Sequence, residues 1–161
     1  MSYFFRNPNQ YSPKYFTIGE LTESNTAKKY NIPNVPNQEQ LTNMLHLIQY
    51  VLDPLRVSLG CPVYVSSGYR SPELNKKVGG SKTSQHCKGQ AADLYLKGKS
   101  NIAIAKALLD IPNWDQLIIE RGSVNNPQWI HISWSSNPRR QILYYNGKKY
   151  LPITEHQIKN F

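Results

Sequence analysis

The chain has 161 residues, 39% of them hydrophobic, and two cysteines, which suits one globular domain with one core and leaves little room for a second module. Nineteen Lys and Arg against ten Asp and Glu give a formal charge of +9, which favours anionic partners, but the cations are scattered in pairs such as Lys28-Lys29, Lys76-Lys77, Arg139-Arg140 and Lys148-Lys149, so the charge reads as general attraction. Cys61 and Cys87 are too few for a disulfide framework, no segment approaches the roughly 20 apolar residues of a membrane span, and MSYFFRNPNQYSPKYF lacks the apolar stretch of a standard secretory signal.

Residues 1–36 are rich in Asn, Pro and Tyr and read as an irregular arm wrapped on the domain. Within it, Ile18 to Lys29 is expected to be helical, with Thr17 as N-cap ahead of Glu20. The clearest helix starts after Pro36-Asn37, where Leu41, Leu45, Ile48, Leu52, Leu55 and Leu59 fall at strides of four and three along a core-facing stripe. Pro54 should kink or break it. Val63 to Ser67 reads as a strand, Gly68 as a turn, and Ser71-Pro72-Glu73 as the start of a short helix that ends in the loop Gly79-Gly80-Ser81. Strand Ala91 to Leu96 and helix Ser100 to Asp110 follow, then strands Gln116 to Glu120 and Trp129 to Trp134. Ile142 to Tyr145 and Lys148 to Leu151 flank Asn146-Gly147 as a hairpin. Early helices and late adjacent strands indicate an α+β fold with a mainly antiparallel sheet, taken as a single domain over residues 1–161, with 135–161 as a C-terminal hairpin and tail.

His86 and Asp93 stand seven residues apart around Gly89, so a loop ligand and a strand ligand converge if the chain turns there. In Trp129-Ile-His-Ile-Ser133, period-two alternation aims His131 away from Ile130 and Ile132. Two imidazoles and one carboxylate are a recognised catalytic zinc set; such a metal activates water and polarises a carbonyl. On spacing alone a second reading stands beside it: His86 as a loop histidine, Asp93 as a strand-end cap, His131 as a half-buried sheet residue.

The runs Ser67-Gly-Tyr-Arg-Ser-Pro-Glu-Leu-Asn75, Val78-Gly-Gly-Ser-Lys-Thr-Ser-Gln-His86 and Gly89-Gln-Ala-Ala-Asp-Leu94, with Trp129-Ile-His-Ile-Ser133, resemble the zinc D-Ala-D-Ala carboxypeptidase and endolysin family with its hedgehog-like fold. A weaker likeness at Phe16 to Thr22 and Leu52 to Leu55 extends it over roughly residues 16–134. The resemblance implies a hedgehog/DD-peptidase-like domain that holds one zinc ion on His86, Asp93 and His131 and hydrolyses a peptidoglycan peptide.

Such chemistry needs a proton acceptor. Many members of the family place an acid three residues before the last zinc histidine, where this chain has Gln128. Similar sequences point instead to Glu120, whose bland alternative is a strand-end acid paired with Arg121 or a nearby Lys; Asp115 is the fallback. Arg70 resembles the family arginine that meets a substrate carboxylate or carbonyl through its guanidinium fork, against a structural tie from loop to sheet. Ser84 and Gln85 stand as substrate-binding candidates or loop caps, and Trp129 as cleft wall or packing. Cys87 is read as an inert thiol, and His46 and His156 as ordinary histidines.

The expected partner is a peptidoglycan peptide, with no nucleic acid, no membrane span and a monomeric state. A protein made in the cytoplasm of a phage-infected or prophage-carrying bacterium and acting on the wall after release fits the charge. A non-catalytic zinc domain that binds cell wall or builds a phage particle is the alternative.

Overall fold

The computed structural model describes residues 11–161, so the first ten residues of the expected arm lie outside the described residues. The sheet carries six strands in the order β1-β2-β4-β3-β5-β6. These are β1 (Tyr64–Ser67), β2 (Ala91–Tyr95), β3 (Trp114–Glu120), β4 (Trp129–Trp134), β5 (Gln141–Tyr145) and β6 (Tyr150–Pro152). All pairs are antiparallel except β3 with β5, which run parallel. The architecture is α+β and mainly antiparallel, as the element order implies.

One face of the sheet is apolar. Ala92, Leu94, Leu117, Ile119, Ile130 and Ile132 are fully buried beneath the helices. Chief among these are α3 (Gln38–Leu47) and α4 (Asp53–Leu59), joined by a π-helical turn over Ile48–Leu52. Pro54 sits in the first turn of α4, where its missing N–H costs least, and the widened turn ahead of it absorbs the ring. The helical stripe is therefore rotated from the expected one. Met44, Leu47 and Val51 are buried with Ile48, Leu52 and Leu55, while Leu41 and Leu59 only flank the core.

The single helix expected over Ile18 to Lys29 is two, α1 (Ile18–Thr22) and α2 (Asn25–Tyr30). Thr17 and Glu20 form a capping box at the first, but Ser24 caps the second, accepting a hydrogen bond from the Ala27 N–H, and Glu23 stays extended. The helices α5 (Pro72–Lys77) and α6 (Ile102–Leu109) fall where the sequence indicates. The expected C-terminal tail contains a helix, α7 (Glu155–Lys159), which is capped by Thr154 and Gln157 and buries Ile158. The final hairpin closes through four residues rather than two: Tyr145 pairs with Tyr150, and the Asn146 carboxamide oxygen accepts from the N–H groups of Lys148 and Lys149.

Residues directly opposite across a ladder share a face, so register decides what the other face presents. One row runs Ser67, Asp93, His131, Ile118 across four strands. Two residues along, a second row runs Trp129, Glu120, Tyr145, Tyr150. This polar face is left open by the helices.

Candidate metal centre

His86 comes from a single 3₁₀ turn, Gln85–Lys88, that leads into β2. The turn is stopped by Gly89 at φ +72°, where any Cβ would lie 2.4 Å from the Gln40 carbonyl oxygen. Ser84 starts it, its hydroxyl accepting from the His86 N–H at 3.2 Å, so Ser84 serves as a cap. The His86 Nδ1 lies 2.7 Å from the Gly68 carbonyl oxygen. A carbonyl only accepts, so the ring proton sits on Nδ1 and the lone pair of Nε2 faces inward.

That lone pair meets two other donors. His86 Nε2 is 3.3 Å from Asp93 Oδ1 and 3.3 Å from His131 Nδ1, and His131 Nδ1 is 3.1 Å from Asp93 Oδ1. All three residues are buried. Bonds of ~2.0–2.1 Å to a tetrahedral zinc place ligand atoms about 3.3 Å apart, so this triangle fits one face of such a site and leaves a fourth position. Burial works against charge on Asp93, yet the two imidazoles hold its carboxyl well below the usual carboxylate range.

The centre lies at the base of a cleft of about 450 Å³. Glu120 lines it, half-buried, and burial together with the neighbouring Asp93 charge pushes its carboxyl up to about 7. No ion pair ties Glu120 to Arg121 or to a lysine among the described residues. Gln128, in contrast, is exposed and outside the cleft, its N–H bonded to the Glu120 carbonyl.

Arg70 is held from three sides. Its Nε donates to Ser67 Oγ at 3.1 Å, Nη1 to Asn75 Oδ1 at 3.0 Å, and Nη2 lies 3.7 Å from Asp93 Oδ2. Asn75 is fixed in turn by the Ser81 carbonyl. A Cβ at Gly80 would fall 2.0 Å from Asn75 Oδ1, which accounts for the second glycine of the Gly79-Gly80 pair. Asn75 closes the run Ser67 to Asn75, and its contact with Arg70 is visible only in the geometry.

Two expectations change. Asp115 is no free base: Arg139 grips its carboxylate through Nε and Nη2, at 3.0 and 2.7 Å to the two oxygens. Burial pushes this carboxyl up, but the Arg139 bonds outweigh that and hold it low. The Gln85 amide nitrogen donates to the same carboxylate at 2.9 Å, so that donor is committed to the protein although Gln85 lines the cleft. Trp129 also lines the cleft. Burial raises the Cys87 thiol above its ordinary value, which disfavours a metal-binding thiolate. His46 packs on Trp134 at 4.6 Å between ring centroids, and His156 is exposed on α7.

The sequence model of a family described as Peptidase M15 matches residues 14–133. The chain is also similar to the zinc D-Ala-D-Ala carboxypeptidase of Streptomyces albus G, with 32% identity over 97 residues, 60% of this chain and 37% of that protein. The match thus spans little more than a third of that relative's length. Arg139, Tyr145 and Tyr150, which line the cleft, lie beyond the family match.

Proposed function

The chain belongs to the peptidase M15 family, and on that footing we propose that it is a zinc-dependent peptidase that hydrolyses peptide bonds of bacterial peptidoglycan. The observation that carries this reading is the convergence of His86 Nε2, Asp93 Oδ1 and His131 Nδ1 within 3.3 Å of one another beside a half-buried carboxyl in an open cleft. Zinc, when bound there, supplies a Lewis acid that polarises the peptide carbonyl and acidifies water.

The chain's own residues do the rest. Glu120, half-buried in the cleft, takes a proton from the attacking water and returns it to the leaving amine. Arg70, pre-set by Ser67 and Asn75, steadies the carbonyl oxygen or a terminal carboxylate with directed, charge-assisted hydrogen bonds. Trp129 walls the cleft. The formal charge of +9 draws the protein to anionic wall polymers, which suits release as a phage or prophage lysin.

Mass spectrometry of murein sacculi digested by the zinc-loaded protein tests the reading. New peptide termini are expected, at a D-Ala-D-Ala bond or within the stem or cross-link, and Glu120→Gln is expected to lower their release by about a hundredfold or more. Intact sacculi from every wall type would leave a wall-binding module in place of an enzyme.

A further inference from the structure

We propose that Arg121 is a specificity-determining residue of this cleft, receiving a substrate carboxylate apart from the reacting carbonyl, so that the protein selects anionic peptides over amidated ones. The proposal rests on the peptidase reading for its substrate class, and on three observations for the residue.

The first is a comparison of the cleft's guanidinium groups. Arg70, Arg121 and Arg139 all line it. Arg139 is spent on Asp115, and Arg70, held by Ser67, Asn75 and Asp93, is already assigned to the reacting carbonyl or terminal carboxylate. The Arg121 side chain has no ion pair and no hydrogen bond among the described residues. Its five N–H donors are available to a ligand, and a carboxylate is the partner that fits the fork.

The second is placement. Arg121 directly follows Glu120, and its guanidinium carbon lies 5.6 Å from the Trp129 ring and 6.0 Å from the Tyr145 ring. Two aromatic faces at such distances orient a cation without neutralising it. Tyr145 packs on Tyr150 with the rings tilted, 4.7 Å between centroids. The C-terminal hairpin thus builds a wall for Arg121 from residues beyond the family match at 14–133.

The third is backbone cost. Arg121 sits at φ +57°, left-handed space that a side chain rarely occupies, followed by Gly122 at φ +64°. Its N–H is tied to the Tyr145 carbonyl at 2.7 Å. Glycine fits this position better on conformational grounds, so the backbone bears a cost to present a long cationic side chain at the cleft.

The test uses zinc-loaded protein and three synthetic peptides: L-Ala-D-Glu-L-Lys-D-Ala-D-Ala, the same peptide with its glutamate carboxylate converted to carboxamide, and the same peptide with its C-terminal carboxylate amidated. Binding is measured by calorimetry in the Glu120→Gln background to prevent turnover, and KM and kcat in the unmodified protein. One of the two amidations is expected to weaken binding and raise KM about tenfold. Arg121→Gln is expected to bring the peptides within about twofold of one another. Arg121→Gly, which suits the φ of +57°, guards against misfolding and is expected to do the same. The proposal is overturned if neither amidation matters, if the discrimination survives both variants, or if no peptide binds. Cleavage without discrimination would reject the Arg121 role and leave the peptidase standing. Discrimination in binding without cleavage of any peptide or of murein would do the reverse.

Discussion

The burial of Glu120 sets a stability cost that depends on pH. Burial and the Asp93 charge raise its carboxyl from 4.5 to about 7. Below pH 4.5 the carboxyl is neutral in both folded and unfolded chains; above it, the unfolded chain ionises first. The folded state then binds more protons, and stability falls as pH rises toward 7. Glu120→Gln is therefore expected to leave the melting temperature of metal-free protein unchanged at pH 4 and to raise it at pH 8. Calorimetric melting of the two proteins across that range checks this; equal melting at pH 8 would contradict the burial cost. In the zinc-loaded enzyme the cation offsets Asp93, so the acid limb of kcat/KM is expected between 4.5 and 7. Two of the cations have structural partners. Arg140 donates to the carbonyls of Ile111 and Leu109 and covers the Trp114 ring at 4.0 Å, so it and Arg139 are built into the fold.

Among the elements, the junction of the π turn and α4 carries the least expected device. Asp53 is buried, and its carboxylate accepts from the Tyr11 hydroxyl at 2.6 Å and from the N–H groups of Lys14 and Tyr15 at 2.9 and 3.0 Å. Those bonds fasten the N-terminal arm to the helical layer. Asp53→Ala is expected to cost about 2 kcal/mol in urea unfolding and to speed proteolysis near residues 11–15. A loss under about 0.5 kcal/mol, the range of an ordinary surface change, would deny the anchor. The Tyr11 phenol, pushed up to about 12 by burial and Asp53, adds stability present below pH 10 and lost as pH climbs through 12. What the sequence discloses here follows from local rules. Thr17 and Glu20 announce a cap, alternation in 129–133 separates His131 from Ile130 and Ile132, and glycines mark the turns. What it hides is set by distant partners. Nothing local tells that Asp53 waits for Tyr11, that Ser24 outcompetes helix continuation at Glu23, or that β5 lies parallel to β3 and brings Tyr145 beside Glu120. Asp115 looked like a spare base because its partner Arg139 is 24 residues away.

At the scale of the whole molecule, the two faces of one sheet divide the labour. The helix-covered face holds Leu94, Leu117, Ile119, Ile130 and Ile132 fully buried, and this packing needs no ion. The open face brings His86, Asp93 and His131 from a turn and two strands to one point. Without a cation, His86 Nε2 and His131 Nδ1 both face the single Asp93 Oδ1, and His131 Nε2 is buried with no partner. A site so arranged is polarised toward metal but does not depend on it to exist. Chelation is therefore expected to leave the far-ultraviolet circular dichroism at 25 °C unchanged while lowering the melting temperature. With zinc at a thousandfold its dissociation constant, linkage contributes about 4 kcal/mol, which for a domain of this size is a shift of roughly 10 °C. Acidification should shrink the shift, because the ligands must shed protons to bind. Replacing Asp93 with Asn should remove most of it, since the site then keeps the imidazoles but loses the anion that balances the cation. A melting temperature indifferent to chelator in the unmodified protein would mean that the three donors hold no metal in solution, and the catalytic reading built on Glu120 and Arg70 would fall with it.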